Sequence, residues 1–353
     1  MPDDLIAKSL VLLVGAGASK EVNLPIGAEL KKSIASALDI KFPDSYRRVG
    51  GDDVIHDAFR RIAQSVNPNR VDINPYLHAA WRIRDAMPQA ISIDNFIDSH
   101  RSDEKIVLCG KLAIARCILA AERQSKLYID RENIYNKIDF SSLENTWFNS
   151  FFQLITENRQ QSDLPEQLSM VSIICFNYDR CIEHYLHGAF QNYYGMTSEE
   201  ATELLNNFEI YHPYGTVGKL PWQEPQTGFA FGAEPDGGKL LALAGKLRTF
   251  TEGVDPSKSD ISAVRLALNN AKNLAFLGFA FHRLNLDLLF PDVVGSNDDR
   301  SIYATASGLS NSDVQVISKE LSHLAGIRYD QIRLRNDLKC FDLFREYSRT
   351  LAS

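Results

Sequence analysis

The stretch that most constrains this chain is Leu10 to Leu24, LVLLVGAGASKEVNL. A short apolar run, Leu10 to Val14, enters a glycine-rich turn, and from Ile26 apolar residues recur with helical spacing. That order is strand, tight turn, helix. In an open α/β sheet it puts backbone N–H groups and a helix N-terminus at the carboxyl edge, where a pyrophosphate binds. Gly15 permits the turn, and Gly17 lets the backbone approach a ligand, because neither carries a Cβ. The dinucleotide fingerprint of dehydrogenases asks for a third glycine three positions on. Lys20 stands there instead, so this is not the dehydrogenase pattern. Ser19 adds a hydroxyl suited to capping the helix or touching a phosphate. Short glycine motifs also occur in plain β–α turns that hold no ligand.

A chain of 353 residues accommodates one large domain or two intimate ones. Its net charge of −7 argues against broad nucleic-acid binding, which needs a positive face. Cys109, Cys117, Cys175, Cys181 and Cys340 are odd in number and form no CxxC pair, so neither a disulfide framework nor a cysteine zinc site is supported. The first apolar run is too short for a signal peptide, and no stretch approaches membrane-spanning length. A reduced, cytoplasmic protein without membrane association is expected.

Pro25 precedes a helix expected over Ile26 to Leu38, with Ile26, Leu30, Ile34 and Leu38 on one face. From Asp52 to Asn158 strand signal is scarce, and helices are expected at Asp53–Ser65, Pro75–Ala86, Ser92–Ser99, Lys105–Arg123 and Ser142–Glu157. Strands return at Ser169–Phe176, Glu209–His212, Leu274–Leu277 and Ser301–Thr305. Helices are expected at Arg180–Ala189, Lys239–Thr249, Ser259–Ala271, Leu284–Phe290 and Asp313–Ala325. Leu220 to Gly238, rich in Pro and Gly, reads as a surface loop or flap, and the tail from Ile332 as ending in an amphipathic helix. The fold class expected is α/β: a Rossmann-like parallel sheet with helices on both faces. Residues 1–40 and 166–353 would form the core, and 41–165 a helical insertion.

Four strand ends carry unusual residues: Gly15 to Ser19, Asn177 to Asp179, His212 to Gly215 and Gly278 to His282. In a parallel sheet all of them converge on the carboxyl edge. GAGAS followed by NLP, then FNYD, then HPYG after a short strand, then FLGFAF, resembles the sirtuin-like domain of bacterial NAD-consuming proteins. SIDNFID at Ser92 to Asp98 and IYATASGL at Ile302 to Leu309 are also similar to elements of that family, whereas Asp103 to Leu168 matches nothing in it.

The resemblance implies that NAD binds between the Rossmann-like core and the helical insertion. It implies cleavage to nicotinamide and ADP-ribose, as in prokaryotic defence proteins that destroy NAD on phage infection. Gly15, Ala16, Gly17 and Ser19 would meet the dinucleotide, Asn177 would sit beside the nicotinamide ribose, and Asp179 and Tyr214 would complete the lining. Gly278 and Phe279 would form the adenosine-side loop, Thr305 would meet adenine or ribose, and Asp94 would face the nicotinamide end. An amide beside the ribose suits the chemistry, because breaking the N-glycosidic bond builds oxocarbenium character that a positioned polar group stabilises. Asn177 as a turn amide, and Asp179 as a helix cap, are the plainer alternatives.

The family usually carries His directly before the Gly of its HG motif; here Tyr214 stands there and His212 two residues earlier. Residues i and i+2 of a strand share a face, so His212 is expected to present its imidazole to the same space and serve as base. A satisfied strand-end histidine is the alternative. The paired cysteines that hold zinc in sirtuin deacylases are absent, which argues against a deacylase. Asp52, Asp53, Asp298 and Asp299 read as loop charges rather than a metal site, and His56 and His78 as structural. The chemistry expected is therefore NAD hydrolysis without metal, with a catalytically inactive NAD- or ADP-ribose-binding subunit as the rival. Control would come from self-assembly or from a partner subunit encoded nearby, such as a helicase, another ATPase or an Argonaute-like protein. The Phe-rich tail and the Trp147, Phe148, Phe151, Phe152 cluster are either contact surfaces or core.

Overall fold

A computed structural model describes residues 8–43, 47–130, 132, 137–257, 259–291 and 299–352. The fold is α/β. Six strands form one all-parallel sheet: β1 (Lys8–Val14), β2 (Val171–Cys175), β3 (Glu209–Tyr211), β4 (Ala271–Leu277), β5 (Ser301–Thr305) and β6 (Ile332–Arg335). Their order is β3-β2-β1-β4-β5-β6, the doubly wound arrangement of a Rossmann-like sheet. The central strands carry the apolar stretches 10–14, 173–175 and 274–277, as expected where helices cover both faces.

The first helix, α1 (Ala16–Ser19), is a single turn followed by a 3-10 turn, Lys20–Val22, and α2 (Gly27–Ala37) comes after it. Next come α3 (Asp53–Val66), α4 (Asn74–Ala86), α5 (Ile93–Ser99), α6 (Glu104–Gln124), α7 (Trp147–Thr156) and α8 (Leu164–Ser169). The second half supplies α9 (Cys181–Tyr194), α10 (Ser198–Asn206), α11 (Gly237–Ala244), α12 (Phe250–Gly253), α13 (Ile261–Asn269), α14 (Arg283–Leu289), α15 (Asn311–Ala325) and α16 (Cys340–Leu351). Several begin where the sequence places a cap: Ser92 accepts from Asn95 N–H, and Thr197 and Glu200 close a capping box on α10.

Alternation along β1 divides the core. Val11 and Leu13 enter a cluster with α2, α3, α4, α6, α11 and α13, while Leu10, Leu12 and Val14 face α7, α8, α9 and α16. The block 41–165 is thus shared between two clusters: α3 to α6 pack with α2 and α11, and α7 packs against α16 and α9. Trp147, Phe148, Phe151 and Phe152 are buried with Phe344, so of the two roles open to these residues they fill the core. Glu21 organises that cluster, one carboxylate oxygen accepting from Trp147 N–H at 2.7 Å and the other from Phe341 N–H at 2.9 Å, at the starts of α7 and α16.

The expected flap, Leu220 to Gly238, is strapped down. Arg180, buried against Glu122 of α6, donates to the carbonyls of Phe229 and Ala230, while Glu122 accepts from Gly232 N–H at 3.1 Å. Phe231 stacks on His184 and Trp222 on His187. Asp52 is no loop charge: it caps α3 and pairs with Arg116 at 2.7 Å, and Asp53 pairs with Arg48. Asp298 lies outside the described residues. Among the described residues, no helix is long and apolar enough to cross a membrane.

Candidate functional site

The strand order reverses between β1 and β4, and ligands of such sheets bind outside the carboxyl ends at that point. Here Gly15 N–H donates to Leu277 O at 2.9 Å and Gly17 N–H to Gly278 O at 3.0 Å. A Cβ on Gly15 would lie 2.7 Å from Gly278 O, and one on Gly17 2.8 Å from Gly278 Cα. Gly278 itself has φ +54°, and a Cβ there would meet Ala18 N at 2.1 Å. These glycines are therefore demanded by backbone packing between the β1 and β4 turns. Ala16 lies half-buried at the start of α1, and Ala18 N–H is returned to Gly15 O.

Ser19 neither caps the helix nor stands free. Its Oγ donates to Asp179 Oδ2 at 3.0 Å and accepts from Asn177 Nδ2 at 2.9 Å. Asn177 Nδ2 also donates to Gly15 O at 3.1 Å. A carbonyl only accepts, so the amide nitrogen must face Gly15 and Oδ1 must face away. Among the described residues no donor meets Oδ1. Asp179 Oδ1 accepts from Cys181 N–H at 3.1 Å at the start of α9, which makes Asp179 both cap and anchor. Burial pushes the Asp179 carboxyl above its ordinary value, against the hydrogen bonds it accepts. The result is a directional chain, Asn177 to Ser19 to Asp179, that fixes one amide oxygen at the edge.

His212 departs from expectation. The strand ends at Tyr211, and His212 to Gly215 form a turn closed by Gly215 N–H on His212 O at 2.9 Å, so alternation no longer holds. Its ring faces α9: Nδ1 lies 3.1 Å from Asn177 O and Nε2 2.9 Å from Glu183 Oε1. Tyr214 points the other way, its hydroxyl donating to Asn285 Oδ1 at 2.7 Å and its ring packing on Phe176 and Tyr178. Burial works against a charge on His212, yet Glu183 and the adjoining Cys175 hold its pKa well above the usual imidazole value. Both ring nitrogens of His212 are engaged within the protein, Nδ1 with Asn177 O and Nε2 with Glu183 Oε1.

The remaining predicted residues gather at the same edge, each in contact with other parts of the protein. Asp94 accepts from the Tyr178 hydroxyl, which ties α5 to the FNYD turn, and its burial raises its pKa. Phe279 is buried among Phe176, Phe276 and Phe281. Phe281 adopts φ +53°, a conformation that costs a bulky residue about 1–3 kcal/mol. The Thr305 hydroxyl accepts from Gly278 N–H at 2.8 Å and lies 3.4 Å from Phe276 O. Sequence reasoning missed Glu183 and Asn285. Glu183 did leave a trace, a carboxylate between Ile182 and Tyr185 on the buried face of α9.

A cavity of about 720 Å³ opens elsewhere, between α7, α9 and α16, lined by residues such as Asn149, Phe152, Tyr185, Tyr193 and Arg345. None of its lining residues belongs to the four strand ends, so volume and chemistry point to different places, and polar geometry is the better guide to a reacting centre. Among the described residues no cluster of three or more His, Cys, Asp or Glu side chains could hold a metal ion. No protein-family model and no curated protein matches the chain.

Proposed function

We propose that the site at the carboxyl ends of β1, β2 and β4 cleaves NAD⁺ to nicotinamide and ADP-ribose. The observation that carries this reading is the orientation of Asn177, whose amide oxygen is left as a fixed acceptor beside the switch point of a doubly wound parallel sheet. The C1′–N bond breaks with its electron pair passing to the pyridinium nitrogen, so nicotinamide leaves neutral. Water adds to C1′ and releases a proton to solvent. Asn177 Oδ1 accepts a hydrogen bond from a ribose hydroxyl or from the water and faces the developing positive charge. Such a reaction needs restraint in a living cell, and we assign that to self-assembly or to a partner subunit, as in defence by NAD depletion.

A second reading is favoured by His212: with both ring nitrogens bonded, the site would hold NAD or ADP-ribose without cleaving it. The purified chain incubated with NAD⁺ separates the two. Hydrolysis releases nicotinamide, and Asn177→Ala lowers kcat by about 100-fold. A rise in melting temperature with no nicotinamide selects the binding module. Cleavage at an unchanged rate in Asn177→Ala would place the chemistry elsewhere.

A further inference from the structure

The buried contact between Glu183 and His212 is not used as acid or base in the reading above. Asn177 O cannot donate, so Nδ1 of His212 must carry a proton to make its 3.1 Å bond. That leaves Nε2 facing Glu183 Oε1 at 2.9 Å, a distance that requires a second proton between them. Both side chains are almost wholly buried, at 8% and 6% exposure, so the pair is cut off from solvent screening. Glu183 Oε2 is buried with no partner among the described residues, so stability alone does not explain a carboxylate there. The charged and titratable groups around the ring are Cys175 on β2, Glu183 on α9 and Lys219 beyond it, with Arg248 donating to the main-chain O of His212 at 3.3 Å.

We propose that Glu183 and His212 are positioning residues: an imidazolium held by a carboxylate grips the peptide carbonyl of Asn177 and thereby sets where its side-chain oxygen points. The peptide of Asn177 is fixed from one side by His212 and its amide from the other by Gly15 and Ser19. This rests on the reading of Asn177 as the catalytic amide, and the pair itself transfers no proton.

Glu183→Gln tests it with little change in volume, since a glutamine N–H can still meet a neutral His212. In nitrogen-detected spectra of the wild type, His212 keeps both ring protons from about pH 5 to about pH 8, whereas in Glu183→Gln it titrates within that range. The side-chain amide signals of Asn177, identified by their loss in Asn177→Ala, shift in Glu183→Gln. In the nicotinamide assay, kcat of Glu183→Gln falls about tenfold with KM within about twofold, and a histidine limb absent from the wild type enters its pH profile. His212→Gln, which still reaches the Asn177 carbonyl through an amide N–H, retains partial activity. A wild-type His212 that titrates near its ordinary value, or an Asn177 amide unmoved in Glu183→Gln, overturns the proposal. Absence of nicotinamide release from the wild type overturns the hydrolase reading instead, and the spectra then decide the positioning pair.

Discussion

The two flanks of β1 at the carboxyl edge are built from opposite materials. On the β2 and β3 side, Asn177, Asp179, Glu183 and His212 are held by directional side-chain hydrogen bonds. On the β4 and β5 side, Gly278, Phe279 and Phe281 are held by close backbone approach and ring packing, with Thr305 closing the turn. The glycine turn belongs to both. Gly15 O faces the amide of Asn177, while the missing Cβ atoms of Gly15 and Gly17 face Gly278. A glycine motif that looks like a phosphate cradle is thus also required by its protein neighbours. The polar flank, rather than the glycines, then carries the functional argument.

The sharpest way to break this comparison is on the packed flank. Gly278→Ala places a Cβ 2.1 Å from Ala18 N at a φ of +54°, so we expect a loss above about 4 kcal/mol, read as failure to fold or a large fall in denaturation midpoint. A variant of near-normal stability would show that the β1 and β4 turns are not locked together.

Next in size, Asp179→Ala strands the Ser19 hydroxyl and Cys181 N–H and costs about 2–3 kcal/mol by denaturant titration, against about 1 kcal/mol for Asp179→Asn. The pH dependence sharpens the distinction. Burial raises the folded-state pKa of Asp179 above its ordinary 3.8, so its contribution is complete below that value and is lost as pH rises through the raised one. The stability advantage of wild type over Asp179→Asn should therefore shrink as pH rises above the ordinary 3.8. An advantage that grows with pH would mean that hydrogen bonding outweighs burial there. Smallest is Thr305→Val, which removes the acceptor of Gly278 N–H and costs about 1–2 kcal/mol while leaving nicotinamide release unchanged. A drop in release without a drop in stability would return Thr305 to the ligand.

Much of the framework was legible because buried parallel strands carry apolar stretches, and 10–14 of β1, 173–175 of β2, 274–277 of β4 and 302–304 of β5 are such stretches. The edge strand β6 was not: Ile332 to Arg335 alternates apolar with basic residues and looks like the approach to a helix. α10 was unexpected although its Thr197 and Glu200 box was present in the sequence. Within the site, Ser19, Asn177 and Asp179 could be placed at one edge from the order of strands, but their mutual hydrogen bonds could not. His212 shows why. The strand stops at Tyr211, the ring of His212 faces α9 from the turn that follows, and its partner Glu183 is separated by 29 positions that no local pattern links. Periodicity tells which way a regular element faces and is silent where the element stops.

The most direct measurement of the central claim is the position of bound ADP-ribose in a crystal of the wild-type protein. The ribose should lie within hydrogen-bond reach of Asn177 Oδ1, about 3 Å, at the carboxyl end of β2. Density for the ligand in the cavity between α7, α9 and α16, with the β1–β4 edge unchanged, would contradict it.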